Sequence, residues 1–306
     1  MADLVLHHFA SSPFSEKVRS ILGYKQLAWK SVTVPNILPK PDVVALTGGY
    51  RKTPFLQIGA DIYCDTALIA EVLESLCPTP SLYPKPGPAL AQASILAQWA
   101  DDTLFWAAVS YNRGASAELP KAVFEDRKAM GFDVDWWRPA DATPAYQVYL
   151  RRLTDLLQNQ PYLLGPTPCI ADFCAYHALW LVYLRPSSTV KLAADAAALK
   201  AWLDRIQAIG HGRAEPLDAA QSIAIAAKSK PLPVGQGPLG DGGFQDEHGI
   251  ALGSRVSIAA ESFGLEPTVG ELIAATRTHY SLRRTDERAG TVHVHFPRIG
   301  YVLKQP

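Results

Sequence analysis

Between Pro78 and Pro88 the chain reads PTPSLYPKPGP, five prolines in a single short stretch. Proline fixes φ near −65° and has no amide hydrogen to donate, so neither a helix nor a central strand can run through it. The chain is therefore cut here, and the hydrophobic pattern changes from one side of the cut to the other. Upstream, Leu4 to Phe9 is an apolar run ending in Ser11-Ser12-Pro13, and it reads as a buried strand. Phe14, Val18, Ile21 and Leu22 then recur at helical spacing, with Gly23 placed to end that helix. Trp29 to Val34, Phe55 to Ile58 and Ile62 to Cys64 read as three further strands, with Gly59-Ala60-Asp61 as the turn between the last two. Asp65 opens a second helix, whose apolar positions Leu68, Ile69, Val72, Leu73 and Leu76 share a face until Cys77-Pro78 closes it. Strand, helix, strand, hairpin, helix is the order of a compact α/β domain, assigned to residues 1–80.

Downstream the pattern is helical: Ala91 to Tyr111, Ala117 to Met130, Thr143 to Gln158, Ala171 to Leu184 and Ala193 to Ile209, without strand signals. An all-helical domain is assigned to 88–230. Lys230 to Gly249 is rich in glycine and proline without a period, as in a linker or long irregular loop. From Ser254 the runs become β-like again: Arg255 to Ala259, Val269 to Ala274, Arg277 to Leu282, Thr291 to Phe296 and Tyr301 to Lys304. Residues 247–306 are thus expected to form a small β-rich module. At about 60 residues its own core is marginal, so it is expected to pack against the helical domain.

Charge excludes several functions. Twenty-nine basic residues balance 29 acidic ones, leaving no global field for nucleic acid or an anionic membrane. Arg277, Arg283, Arg284 and Arg288 lie in a segment, 247–306, with seven Lys/Arg and six Asp/Glu, which is poor support for a nucleic-acid surface. No window approaches the ~20 apolar residues of a membrane span, and the start lacks the basic-then-apolar pattern of a signal peptide. Four cysteines, Cys64, Cys77, Cys169 and Cys174, are too few for a disulfide framework and are expected to be reduced thiols. The expectation is a cytoplasmic protein.

The chemistry is expected at Ser11-Ser12-Pro13-Phe14-Ser15. Proline suits the first helical turn and holds the preceding residue extended, which makes Ser12 the N-cap. A capping serine needs no further role. The same hydroxyl, at the positive end of a helix, could also donate to a thiolate, and the helix dipole favours such an anion. The run Ser12-Pro13-Phe14-Ser15-Glu16-Lys17-Val18-Arg19 resembles the first-helix motif of the serine-type glutathione transferases, the plant tau class most nearly, whereas omega-type relatives carry cysteine at this position. The resemblance implies a thioredoxin-like first domain, a helical second domain, a homodimer, and Ser12 as the group that activates the thiolate of glutathione. No metal is expected. A serine, unlike a cysteine, cannot form a mixed disulfide, which favours conjugation over thiol reduction.

Three further places match in order. Lys52-Thr53-Pro54 resembles the family's Lys-x-Pro segment with its cis proline, where the preceding main chain pairs with the cysteinyl part of glutathione. Asp65-Thr66 resembles the acid-plus-hydroxyl pair that holds the γ-glutamyl end, although an aspartate here can also be a simple cap. With Phe14 these complete the expected glutathione contacts. In the helical domain, Gly165-Pro166-Thr167-Pro168-Cys169-Ile170-Ala171-Asp172 resembles the box that starts the family's buried central helix, with Cys169 in place of the usual hydroxyl and Asp172 structural. The second substrate, a small hydrophobic electrophile, would meet apolar side chains among Trp99, Phe105, Trp106, Tyr111, Trp136 and Trp137, with Trp106 and Tyr111 preferred. His7-His8 and His293-x-His295 lack neighbouring ligands at metal spacing. Gly240, Gly242 and Gly243 do not form a dinucleotide loop. The leading expectation is a glutathione S-transferase, with glutathione-dependent ether cleavage as a neighbouring chemistry. A non-catalytic ligand carrier or regulatory adaptor of the same fold is the alternative.

Overall fold

The computed structural model describes residues 3–115, 120–131, 139–193, 196–240 and 243–305. The first unit has the expected thioredoxin-like order: β1 (Leu4–His8), α1 (Pro13–Tyr24), β2 (Ala28–Thr33), α2 (Pro41–Thr47), β3 (Phe55–Ile58), β4 (Asp61–Cys64) and α3 (Thr66–Leu76). β1 pairs parallel with β2 and antiparallel with β3, and β3 and β4 form the hairpin. α2 was not legible in the sequence. It is under two turns long, starts on Pro41 and ends where Gly48 turns left-handed at φ +85°. Gly23 does not end α1, which runs to Tyr24. It is there for room, because a Cβ on it would lie 2.0 Å from the Gly210 carbonyl oxygen.

The helical unit comprises α4 (Pro88–Trp99), α5 (Phe105–Ala115), α6 (Lys121–Ala129), α7 (Pro139–Leu156), α8 (Ile170–Leu179), α9 (Ala197–Ile209) and α10 (Ala219–Lys228). A π-helical turn, Ala100–Leu104, joins α4 to α5, and another, Trp180–Leu184, extends α8. α8 is buried along its whole length. Asp172 anchors its start by accepting from the Cys169 and Leu163 amides and from Trp202 Nε1, at 2.9, 2.9 and 2.8 Å. One core runs from β1, α1 and α3 into this helical unit.

A short strand, β5 (Arg213–Pro216), lies within the stretch expected to be purely helical and pairs parallel with β2. All four of its residues are exposed, so it is held by main-chain pairing and carries no apolar pattern that a sequence could reveal.

The C-terminal strands, β6 (Arg255–Ala260), β7 (Thr268–Ala275), β8 (His279–Asp286), β9 (Gly290–Pro297) and β10 (Tyr301–Lys304), fall within a few residues of expectation. Their docking does not. β9 pairs parallel with β4, Asp61 to Tyr63 against His293 to His295, giving one ten-stranded sheet in the order β10-β6-β7-β8-β9-β4-β3-β1-β2-β5. The module thus continues the sheet of the first unit and is not primarily packed on the helices. The reason is an unpaired strand edge: the amides and carbonyls of β4 find partners in β9. Leu272, Leu282, Val292, Val294 and Phe296 then join Val43, Leu46, Phe55, Ile62, Ile223 and Ala226 in a second core beneath α2 and α10.

Candidate functional site

Ser12 sits where the sequence places it, extended (φ −78°, ψ 124°), 3% exposed, with Oγ accepting from the Ser15 amide at 3.1 Å. Its hydroxyl faces the Thr53 carbonyl at 3.5 Å, a long reach for an O–H donor. The helix tip is therefore against the Lys52-Thr53-Pro54 segment, whose Thr53-Pro54 bond is cis. Ser15 Oγ and Thr53 Oγ1 are buried beside it without a hydrogen-bond partner among the described residues. Phe14 is half-buried and packs on Phe105 and His177, with ring centroids 4.6 and 4.5 Å away.

Asp65 caps α3, accepting from Ala67 N at 2.9 Å through Oδ1. Its own backbone has φ +76°, a region that costs a non-glycine residue about 1–3 kcal/mol and that collects at functional positions. Thr66 Oγ1 accepts from Lys17 Nζ at 3.0 Å. Lys17, fully buried in α1, also pairs with Asp101 Oδ2 at 2.5 Å, and His177 Nε2 lies 2.9 Å from Asp101 Oδ1. Burial pushes the Asp101 carboxyl up, but Lys17 and then His177 more than offset it and hold it at about 2. Burial would lower Lys17, yet Asp101 and Cys174 keep it above the usual lysine range. Sequence reasoning placed Lys17 in the motif without a role. Asp101, in the π-turn, carried no signal at all.

The C-terminal strands reach this same region. Tyr301 Oη donates to Asp65 Oδ2 at 3.0 Å, and Asp65 N donates to Tyr50 Oη at 3.1 Å. Lys52 Nζ lies over both rings, 4.8 Å from the centroid of Tyr301 and 5.6 Å from that of Tyr50. Burial lowers the Lys52 pKa, opposed by Asp65 and Cys64. The Glu261–Pro267 turn between β6 and β7 crosses to the helices: Gly264 N donates to Met130 O at 2.8 Å, and the Phe263 ring meets Trp106 edge-on at 5.5 Å. Arg51 holds both banks, pairing with Asp126 at 2.8 Å and Glu266 at 2.5 Å.

Of the expected second-substrate residues, Trp106 is half-buried against Phe105 and Phe263, whereas Tyr111 stacks on Tyr146 at 4.7 Å. Trp99 packs on Tyr149, and Trp136 and Trp137 lie outside the described residues. His293 and His295 face Asp61: His295 bridges Asp61 Oδ1 (3.1 Å) and Ser281 Oγ (2.7 Å). Among the described residues no group of three or more His, Cys, Asp or Glu is arranged to hold a metal, and no helix is long and apolar enough to cross a membrane. All four cysteines are free thiols.

Residues 6–81 match the family model for the glutathione S-transferase N-terminal domain, and residues 139–209 that for the glutathione S-transferase C-terminal domain. No curated protein sequence matches the chain. Among solved structures, a GST-like protein from Pseudomonas syringae is 40% identical over 100% of this chain and 100% of that chain, with a TM-score of 0.82. That match therefore includes the C-terminal strands. The theta class glutathione S-transferase from the citrus canker pathogen Xanthomonas axonopodis pv. citri, solved with glutathione bound, is 23% identical over 67% of this chain and 92% of that chain, with a TM-score of 0.51. The beta-etherase LigF from Sphingobium sp. strain SYK-6 is 21% identical over 67% and 95%, with a TM-score of 0.51. At those identities the last two speak for the fold alone. A first-domain match that spans Ser12, Pro54 and Asp65, a second match in the helical unit and a full-length relative lead to one conclusion: the chain belongs to the glutathione S-transferase superfamily.

Proposed function

We propose that the protein transfers a small hydrophobic electrophile to glutathione, with Ser12 as the group that keeps the glutathione sulfur ionised. In this reading the thiol proton leaves to solvent and the Ser12 hydroxyl donates to the thiolate. The sulfur attacks the electrophilic carbon, a C–S bond forms, and the bond to the leaving group breaks with its electron pair. Lys52, the Thr53 main chain beside Pro54, Asp65 and Thr66 hold the tripeptide, Phe14 supports the tip from below, and Trp106 offers the apolar surface for the electrophile. Tyr111 is a weaker candidate than Trp106 because its ring is already stacked on Tyr146.

The observation that carries this reading is the Ser12 hydroxyl itself. It is buried at a helix tip, its oxygen is fixed by Ser15 N, and its hydrogen has only a 3.5 Å approach to Thr53 O to leave for a sulfur. A thiol lowered by two units from ~8.5 needs roughly 2.7 kcal/mol, within reach of one charged hydrogen bond plus the helix dipole. In this reading the protein works among the reduced thiols of the cytoplasm. The homodimer of this reading uses a surface other than the β4 edge, which β9 covers.

The test is Ser12→Ala, assayed against an electrophile panel while the bound thiol is titrated by ultraviolet absorbance. We expect kcat/KM to fall about 100-fold and the thiol pKa to rise by about two units. Unchanged activity and an unchanged thiol pKa would remove Ser12 from the reaction.

A further inference from the structure

The Asp65 carboxylate is held from two parts of the chain that are far apart in sequence. Oδ1 takes the Ala67 amide of α3 and Oδ2 takes the Tyr301 hydroxyl of β10, while the residue's own amide is fixed by Tyr50 Oη. A carboxylate oxygen has two acceptor positions, so each still has one to offer after these bonds are made. The side chain is thus locked in a single orientation with its remaining capacity unspent. Beside it, the Lys52 ammonium rests on the rings of Tyr301 and Tyr50, and among the described residues no hydrogen bond or ion pair reaches it. The Glu261–Pro267 turn lies directly on the Lys52 stem. Gly264, at φ +73°, is there because a Cβ would come within 2.7 Å of Lys52 Cγ. An anion acceptor and a cation, both oriented by aromatic residues and both with capacity left, are suited to a zwitterionic peptide end group.

We propose that the C-terminal strands are part of the glutathione site, with Tyr301 a positioning residue that aims the Asp65 carboxylate at the α-ammonium of the γ-glutamyl group. This rests on the reading of Asp65 as the residue that holds that end of the tripeptide. The Tyr301 hydroxyl does not touch the reacting sulfur; it acts through Asp65. Without it, Oδ2 loses its fixed partner, among the described residues only the Ala67 amide still holds the carboxylate, and the ligand ammonium must complete its ordering on binding. The cost falls on affinity and spares the chemical step. Only thiols that carry the γ-glutamyl group feel it.

The experiment uses the full chain, Tyr301→Phe, and two thiols: glutathione, and cysteinylglycine, which is the same thiol without the γ-glutamyl group. Phenylalanine keeps the ring against Phe296 and over Lys52, so the fold is retained, and a melting curve checks this. The KM for glutathione is expected to rise roughly tenfold, as for a lost hydrogen bond to a charged group. We expect kcat at saturation to stay within about twofold and the kinetics with cysteinylglycine to be unchanged. The proposal is overturned if the variant uses glutathione with wild-type KM, or if both thiols lose equally. Should the wild type itself fail to bind glutathione, the proposed function falls together with it. A wild type that binds, paired with an unaffected variant, removes the role of Tyr301 alone.

Discussion

Lys17→Met tests whether the buried cation of α1 holds the site together. The Lys17 side chain is 0% exposed, and its ammonium ties α1 to Thr66 of α3 and to Asp101 of the π-turn. Methionine keeps the volume and removes the charge, which among the described residues leaves the Asp101 carboxylate with His177 at 2.9 Å and the Cys174 thiol at 3.5 Å. Stripping one partner from a buried pair costs about 3–5 kcal/mol. With unfolding entropy of ~2.1 cal/mol/K per residue over a chain of this length, the melting temperature should drop by about 5–8 °C at pH 7. The pH dependence gives a second reading. Asp101 falls from 3.8 to about 2 on folding, so its stabilisation is complete above pH ~4 and is lost as the pH falls toward 2. That is worth about 2 kcal/mol. The variant lacks this stabilisation, so its deficit should shrink between pH 4 and pH 2. Adding Asp101→Asn should recover much of the loss at pH 7. Denaturant melts of the wild type, both single variants and the double variant make a complete cycle. A deficit below about 1 kcal/mol that is the same at pH 7 and pH 3, or single-variant effects that simply add, would refute the reasoning.

Two further outcomes concern stability. A Cβ on Gly49 would lie 2.1 Å from the Pro267 carbonyl oxygen, so Gly49→Ala should cost about 1–3 kcal/mol and loosen the seat of the C-terminal strands. Faster limited proteolysis between Lys230 and Gly249 would report that loosening, and a wild-type digestion pattern would count against it. Trp202→Phe takes the indole donor from Asp172 Oδ1 and should destabilise by about 1–3 kcal/mol in a urea melt. A neutral result would mean that the Leu163 and Cys169 amides suffice for that carboxylate.

Much of the candidate site's local geometry was legible because its signals are local. Ser12 was readable as a cap since Pro13 fixes the first turn and restricts the residue before it. Asp65 was readable because it precedes an apolar helical repeat. The strands of the last 50 residues were readable from alternation and turn residues. Lys17 was less so, because a lysine on an otherwise apolar helix face reads as a solvated charge until Asp101, 84 positions away, is brought against it. The preference for Tyr111 as a pocket residue came from the family resemblance and its aromatic type, and its stacking on Tyr146, 35 positions away, has no local signal. His293 and His295 share a strand face, as their spacing requires, but their partner Asp61 lies 234 positions before His295.

Taken alone, the sequence determined the cut at the proline run, the order of most elements, the capping serine and the family to which the motifs point. Each of these depends on φ restriction or hydrophobic period within a few residues. The tertiary structure decided that β9 pairs with β4 and that Tyr301 meets Asp65 across 236 positions. A strand edge offers the same amides and carbonyls whatever its side chains are, so no local pattern names its partner. The choice is made by which apolar faces can be buried together once the chain is compact.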